Sequence, residues 1–380
     1  MIDWRKVVAS EKKPRRVLRH LMEGVKDDPY LHWDVLERLT PPGRLTHDQW
    51  WAALKLSRRG RRQPLDLPSS AVPWSYTPIP SIHRLVDHLT GSNGAENDRW
   101  VRSAQSREAI YSCRLDGLPL VDDEITRQAV RALTPPVDEG MRAAWNVFRV
   151  ISERQIRSLD ETSAHLTAGT ADEGTWPGLP KNFVKQVSLF IEGQVEGYVP
   201  PLVRATAIYA YVREALDGWP AGGRMARAIF VRSAVDLGIS VISTLAWSKV
   251  LERAPKKLKR TLKQTLSDDH DLTYFLLHHL ETLELALQER DLRSHRKRLA
   301  ESELSPSAPT ESLNERQRVI LHRARHQPDT IFTIGVHQEA HGIVYETARK
   351  DFLELVRLGL FHQEKRQRKF VYRVAARADP

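Results

Sequence analysis

Between residues 81 and 300 apolar side chains recur at the helical period almost without a break. Segments 81–90, 98–113, 122–133, 138–157, 181–195, 200–215, 221–238, 243–251, 255–266 and 270–300 read as helices. Few β-branched alternations interrupt them, so a sheet-based core is excluded and the fold class is mainly α. The most apolar run, residues 228–247, carries Arg232 and Asp236. It reads as a core helix and not as a membrane span, because a spanning segment tolerates such charges poorly.

A chain of 380 residues exceeds one ordinary domain. An N-terminal region over 1–80 opens with a basic amphipathic stretch. It continues with Tyr30-Leu-His-Trp-Asp-Val-Leu and a helix from His47, capped by Thr46 or Asp48, with Trp51, Leu54 and Leu56 on its apolar face. Residues 66–80 are rich in Pro and Ser and read as a loop or short strands. Residues 81–300 form the helical core, and the Ser/Pro/Glu-rich 301–312 is the linker. In residues 313–380 a helix is followed by a short strand at Phe332 and a second helix from Thr333. A turn at His341-Gly342 leads to a third helix from Val344, which Gly359 stops. Two strands around a charged tip complete the order of a winged helix-turn-helix.

The net charge is +10 and the pI about 9.7, which favours an acidic partner, with nucleic acid first. Residues 313–380 hold 13 Lys/Arg against 8 Asp/Glu. The densest positive spot is the hairpin tip, with Lys365, Arg366, Arg368 and Lys369 expected on DNA phosphates. Tyr345, Thr347, Arg349 and Lys350 lie in the N-terminal half of the third helix, where base edges are read, above a core face of Phe352, Leu353, Leu355 and Val356. The rival reading is a module for protein contact or dimerisation. A second basic run, Lys256-Lys-Leu-Lys-Arg260 with Lys263, reads either as an extension of the DNA-facing surface or as a solvated helix face, and the second reading is favoured. His322, His326, His337, His341 and His362 have no partners at metal spacing, so no metal site is expected. Cys113 is the single cysteine and reads as a buried small hydrophobe. With no disulfide and no apolar signal core after Met1, the expected location is the cytoplasm.

Residues 216–227, Leu-Asp-Gly-Trp-Pro-Ala-Gly-Gly-Arg-Met-Ala-Arg, have the shape of a phosphate-gripping loop that runs into a helix. With the residues from Pro200 before it, this stretch resembles the core of the Fic family. That family carries His-Pro-Phe-x-(Asp/Glu)-Gly-Asn-Gly-Arg-x-x-Arg between two helices. Tyr30-x-His-Trp, Asp48-Gln-Trp-Trp-x-x-Leu-Lys and Asp268-Asp-His-Asp-Leu-Thr-Tyr-Phe resemble other segments of one bacterial subgroup. Leu313-Asn-x-Arg-Gln, His337-Gln-x-x-His-Gly and Thr347-Ala-Arg-x-Asp-x-x-x-Leu resemble its winged helix.

The resemblance implies a helical Fic fold followed by a winged helix, and an ancestor that transferred AMP from ATP with Mg²⁺. Laid on the motif, Leu216 takes the place of the catalytic histidine, Gly218 the phenylalanine, Pro220 the metal-binding acid and Gly222 the asparagine. Gly223, Arg224 and Arg227 are kept. Leu216 cannot accept a proton, and loss of a general base alone is worth roughly 10²–10⁴ in rate. Pro220 offers no oxygen to a metal and no N–H to an anion. Asp217 lies one residue past the histidine slot. Residues 162–180 lack the hairpin pattern of the family's substrate flap. Ser112, Asp116 and Gly117 resemble its inhibitory motif, with Asp116 placed to pair with Arg227.

The resulting expectation is a catalytically inactive Fic-like pseudoenzyme that regulates transcription through DNA, works as a homodimer and has no membrane partner. No cofactor is expected, unless Gly222, Gly223, Arg224 and Arg227 still hold a nucleotide, in which case ATP with Mg²⁺ would bind. The alternatives are a Fic-type transferase that uses Asp217 or a substrate group as base, and a decoy or antitoxin-like protein partner of an active enzyme.

Overall fold

The computed structural model describes residues 29–42, 45–67, 72–92, 98–152, 159–178, 198–302, 313–326, 330–366 and 369–375. The N-terminal basic stretch, the helix expected over 181–195, most of the linker and Arg368 lie outside the described residues. The chain divides into two compact units, Met1–Arg290 and Asp291–Pro380.

Among its described residues the first unit is helical apart from one short ladder, Gln63–Pro64 (β1) against Ser75–Tyr76 (β2), and a parallel bridge between Ser75 and Asp271. Helix α1 spans Trp33–Leu36 and α2 spans His47–Arg59. Thr46, not Asp48, caps α2: its hydroxyl accepts from the Gln49 amide, and the Gln49 side chain accepts in return from the Thr46 amide. Helix α3 (Pro80–Gly91) starts on a proline, whose missing N–H costs nothing in a first turn. Then follow α4 (Asp98–Leu115), α5 (Glu124–Arg131), α6 (Glu139–Ser152) and α7 (Leu159–Thr167). Helices α8 (Pro201–Ala215) and α9 (Gly222–Asp236) form the centre, and residues 222–234 of α9 are all buried.

The apolar run over 228–247 is not one helix. It breaks at Gly238, whose φ of +87° suits glycine alone, and resumes as a 3-10 turn (Ser240–Thr244) and α10 (Trp247–Glu252). Helices α11 (Pro255–Ser267) and α12 (Thr273–Ser302) complete the unit. From Asp291 to Arg296 the side chains of α12 are exposed or half-buried, and the compact unit ends at Arg290, before the helix does. Among the described residues no helix is long and apolar enough to cross a membrane. The core closes around Tyr209, Phe230, Trp247 and Phe275, which surround His279. Burial pushes the His279 imidazole down to about 3.

A buried polar network ties the N-terminal region to the start of α12. The Tyr30 hydroxyl donates to Asp271 Oδ2 (2.6 Å), which also pairs with Arg62 Nη2 (2.7 Å). Lys55 pairs with Asp268, and Arg58 lies 3.6 Å above the Tyr30 ring and donates to the Tyr274 hydroxyl (2.8 Å). Asp269 and His270 adopt positive φ to turn the acidic residues inward. The three segments that resembled one family's N-terminal and post-core motifs thus meet in space.

In the second unit α13 (Glu315–His326) is followed by a bridge between Phe332 and Tyr372. Thr333 caps α14 (Ile334–His341), Gly342 reverses the chain at φ +60°, and α15 spans Tyr345–Arg357. Strands β3 (Phe361–Arg366) and β4 (Lys369–Val374) pair antiparallel, Phe361 opposite Val374. Phe352 stacks on Tyr372 at 4.3 Å, and Ala348, Leu355 and Phe361 are buried with them. Leu353 and Val356, expected with Phe352 and Leu355 on the core face, are only partly buried. Asp351 joins the three helices: it accepts from Asn314 (2.7 Å), Arg316 (2.9 Å) and His337 (3.0 Å). Burial alone would raise its carboxyl, but Arg316, Asn314 and His337 hold it below the ordinary value.

Candidate functional site

Helix α8 ends at Ala215, and Leu216 is its C-cap, with its side chain packed in the core at 1 % exposure. Gly218 turns the chain at φ +86°. Helix α9 then begins at Gly222. A methyl group added at Gly222 would strike the Leu216 carbonyl, so the glycine permits the tight return between α8 and α9. Pro220 is exposed and Asp217 projects into solvent, paired among the described residues with Arg213 at 3.2 Å.

The first turn of α9 carries orphan N–H groups and a partial positive charge, and so selects an anion. Here the anion belongs to the protein. Helix α4 delivers Asp116, whose Oδ2 accepts from the Arg224 amide (2.9 Å) and whose Oδ1 accepts from Arg227 Nη2 (2.6 Å). Ser112, one turn earlier on α4, completes the Arg227 environment: its hydroxyl accepts from Nε (2.8 Å) and its carbonyl from Nη2 (2.6 Å). Gly117 ends α4 at φ +94°. Ser112, Asp116, Gly223, Arg224 and Arg227 are therefore brought together at the start of α9.

A carbon added at Gly223 would run into Asp116 Oδ1 and lie 3.0 Å from Arg227 Nη1. The Asp116 carboxylate thus lies directly against the first turn of α9. ATP with Mg²⁺ does not fit these residues as they stand: the helix-terminal donor is engaged, both arginines are paired, and Pro220 supplies no oxygen.

Four participants were not foreseen: Glu108, Asp172, Trp176 and Asn146. Glu108 lies on the same stripe of α4 as Ser112 and Asp116, at spacings of four. It is fully buried and accepts from the amide and hydroxyl of Ser248 at the start of α10. Burial pushes its carboxyl up to about 7, against hydrogen bonds from Ser248 and the nearby Arg227 charge. Asp172 pairs with the Arg224 guanidinium. It comes from the segment after α7, which has no strand among residues 159–178. Trp176 from that segment packs on Trp219 (ring centroids 5.0 Å), and the Trp219 indole donates to Thr175 (2.9 Å). Asn146 anchors the segment by donating to the carbonyls of Leu166 (3.2 Å) and Ala168 (3.0 Å). Residues 168–178 thus strap the loop shut. Periodicity does not reveal such a contact, since nothing local marks Asp172.

A cleft of about 380 Å³ opens beside Arg227 and Asp116, walled by Leu258, Lys259, Leu262 and Lys263 of α11. Cys113 is buried, and desolvation pushes its thiol up to about 12, so it is no nucleophile.

In the second unit Tyr345, Glu346, Arg349 and Lys350 are exposed on the first two turns of α15, and Thr347 is half-buried. Arg349 pairs with Glu346 at 2.9 Å. Lys365 is exposed on β3. Arg366 and Lys369 sit on the two strands where the hairpin closes, but their side chains lie outside the described set.

Neither a protein-family model nor a curated protein matches the chain. Among solved structures it is similar to the crystal structure of a Fic family protein from Desulfovibrio desulfuricans G20. The TM-score is 0.50 at 15% sequence identity, over 80% of this chain and 99% of that one. The likeness shows the fold: the chain is mainly helical and Fic-like.

Proposed function

We propose that the chain is a catalytically inactive Fic-like scaffold whose working end, residues 313–380, is a winged helix that binds duplex DNA and regulates transcription. The observation that carries this reading is the order α13, bridge, α14, turn, α15 and hairpin, with the start of α15 left exposed. Tyr345, Arg349 and Lys350 stand where a recognition helix reads base edges, and Lys365 leads into a wing tip of four cations over 365–369. The Glu346–Arg349 pair is exposed on both sides, so exchange of Glu346 for a phosphate or base edge costs little. The state of the α9 N-terminus adds support: Leu216 is core, and Asp116 and Asp172 hold the arginines that would grip a nucleotide. A second copy bound to an adjacent half-site follows from the usual symmetry of such modules.

The test is selection from a random duplex library, followed by anisotropy titration of the enriched sequence between 50 and 200 mM salt. Arg349→Ala/Lys350→Ala is expected to weaken binding at least roughly tenfold and to relax the selected sequence. Failure to retain any duplex at 50 mM salt overturns the reading. Nucleotide transfer to protein is the rival, favoured only by the cleft beside Arg227. Labelled ATP, Mg²⁺ and lysate decide it: protein labelling that Arg224→Ala abolishes would replace our reading with that one.

A further inference from the structure

Helix α11 and the turn before it carry an excess of positive charge that the described residues neutralise only in part. Residues 253–267 contain Arg253, Lys256, Lys257, Lys259, Arg260 and Lys263 and no Asp or Glu. All six are exposed. Three have carboxylate partners: Arg253 with Glu289, Lys257 with Glu281 (3.3 Å) and Arg260 with Asp34 (2.9 Å). Lys256, Lys259 and Lys263 have none among the described residues. They stand at i, i+3 and i+7, hence on one face, over about 10 Å of helix axis. Leu258, Thr261, Gln264 and Thr265 bury the opposite face.

Two hollows flank this ridge and share Lys259 and Lys263 in their walls. One is the 380 Å³ cleft already described, and the other, of about 400 Å³, is bounded by His32, Asp34 and Arg38. Lys259 and Lys263 therefore stand between two depressions, with the exposed Lys256 on the same helix face, which lets a rod-like polyanion lie along them.

We propose that Lys256, Lys259 and Lys263 form a second DNA contact, on the first unit, that grips the phosphate backbone without reading sequence. This rests on the DNA-binding reading of residues 313–380 and names a further part of the same partner's footprint. Duplex DNA carries one negative charge per about 1.7 Å of axis, so three lysines over about 10 Å can each meet a phosphate. Lysine is a compact point charge, suited to phosphates rather than to bidentate base readout. An anionic membrane is the weaker fit: no aromatic side chain and no exposed leucine stands among the lysines, and the half-buried Leu262 lines the cleft.

The test uses the full chain and the duplex selected above. The variant Lys256→Ala/Lys259→Ala/Lys263→Ala should reduce the magnitude of the slope of log K against log[salt] by about 2.7, at 0.9 per phosphate contact, and leave the selected sequence unchanged. A control, Arg84→Ala/Arg102→Ala/Arg149→Ala, removes equal charge elsewhere on the same unit and should leave the slope as it was. Circular dichroism establishes that both variants remain folded, and Lys→Gln at the same three positions serves if the alanine variant does not. An unchanged slope, or an equal change in the control, overturns the contact while leaving the winged-helix reading intact. Loss of binding to phosphatidylserine vesicles with an unchanged DNA slope would reassign the ridge to a membrane. No DNA binding by the unaltered chain overturns both proposals.

Discussion

Asp116 decides the character of the loop. One carboxylate satisfies a helix-terminal amide, a buried guanidinium and the positive end of α9 together. Asp116→Asn leaves Arg227 buried beside a neutral amide and should cost about 3–5 kcal/mol, read as a lower urea midpoint at unchanged slope. Leu216→His restores the family's residue type at that position without restoring its role. The imidazole would sit in the core, so the expected result is a loss of about 2–5 kcal/mol in urea denaturation and no gain in AMP transfer. Glu108 gives a pH signature. Its carboxyl stays protonated in the folded chain to about pH 7, whereas the unfolded group ionises near 4.5. The folded state binds more protons between those values, so stability falls as pH rises from 4.5 to 7 and stays lowered above. Glu108→Gln should flatten that part of the profile and gain about 3 kcal/mol at pH 8, measured by denaturation across pH.

At the scale of elements, the strap over 168–178 is the part that local signals did not reveal. The helices were legible because a buried stripe writes a 3.6-residue period into the chain. The starts of α3, α8 and α11 were marked by Pro80, Pro201 and Pro255, and the stops of α14 and α15 by Gly342 and Gly359. The site was half legible. Ser112, Asp116, Gly223 and Arg227 were found because a family resemblance carried them. Glu108 was within reach, as it extends their four-residue spacing. Asp172 was not, because an ion pair between residues 52 apart leaves no local pattern. The break near Gly238 was legible as the segment boundary between 238 and 243, although the apolar run over 228–247 also read as one core helix. Trp176→Ala removes the strap's packing on Trp219. Limited proteolysis should then cut within 168–178 well before global unfolding, while the unaltered chain resists there.

Over the whole molecule, the contacts that complete the first unit are the most distant in sequence. Tyr30 and Asp271 are 241 residues apart, and Lys55 and Asp268 are 213 apart. Arg62→Ala would leave Asp271 short of its cation and should cost about 3–5 kcal/mol in urea denaturation. The same geometry sets a clock for synthesis. At roughly 5–20 residues per second, Tyr30, Trp33 and Trp51 leave the ribosome about 10–50 s before the acidic turn at 268–271 that receives the N-terminal region's cations. For that interval Lys55 and Arg62 lack the carboxylates of Asp268 and Asp271 that they pair with in the folded chain. Nascent chains of this protein should therefore be held by a chaperone that shields aromatic, positively charged segments, and released only after residue 274 has emerged.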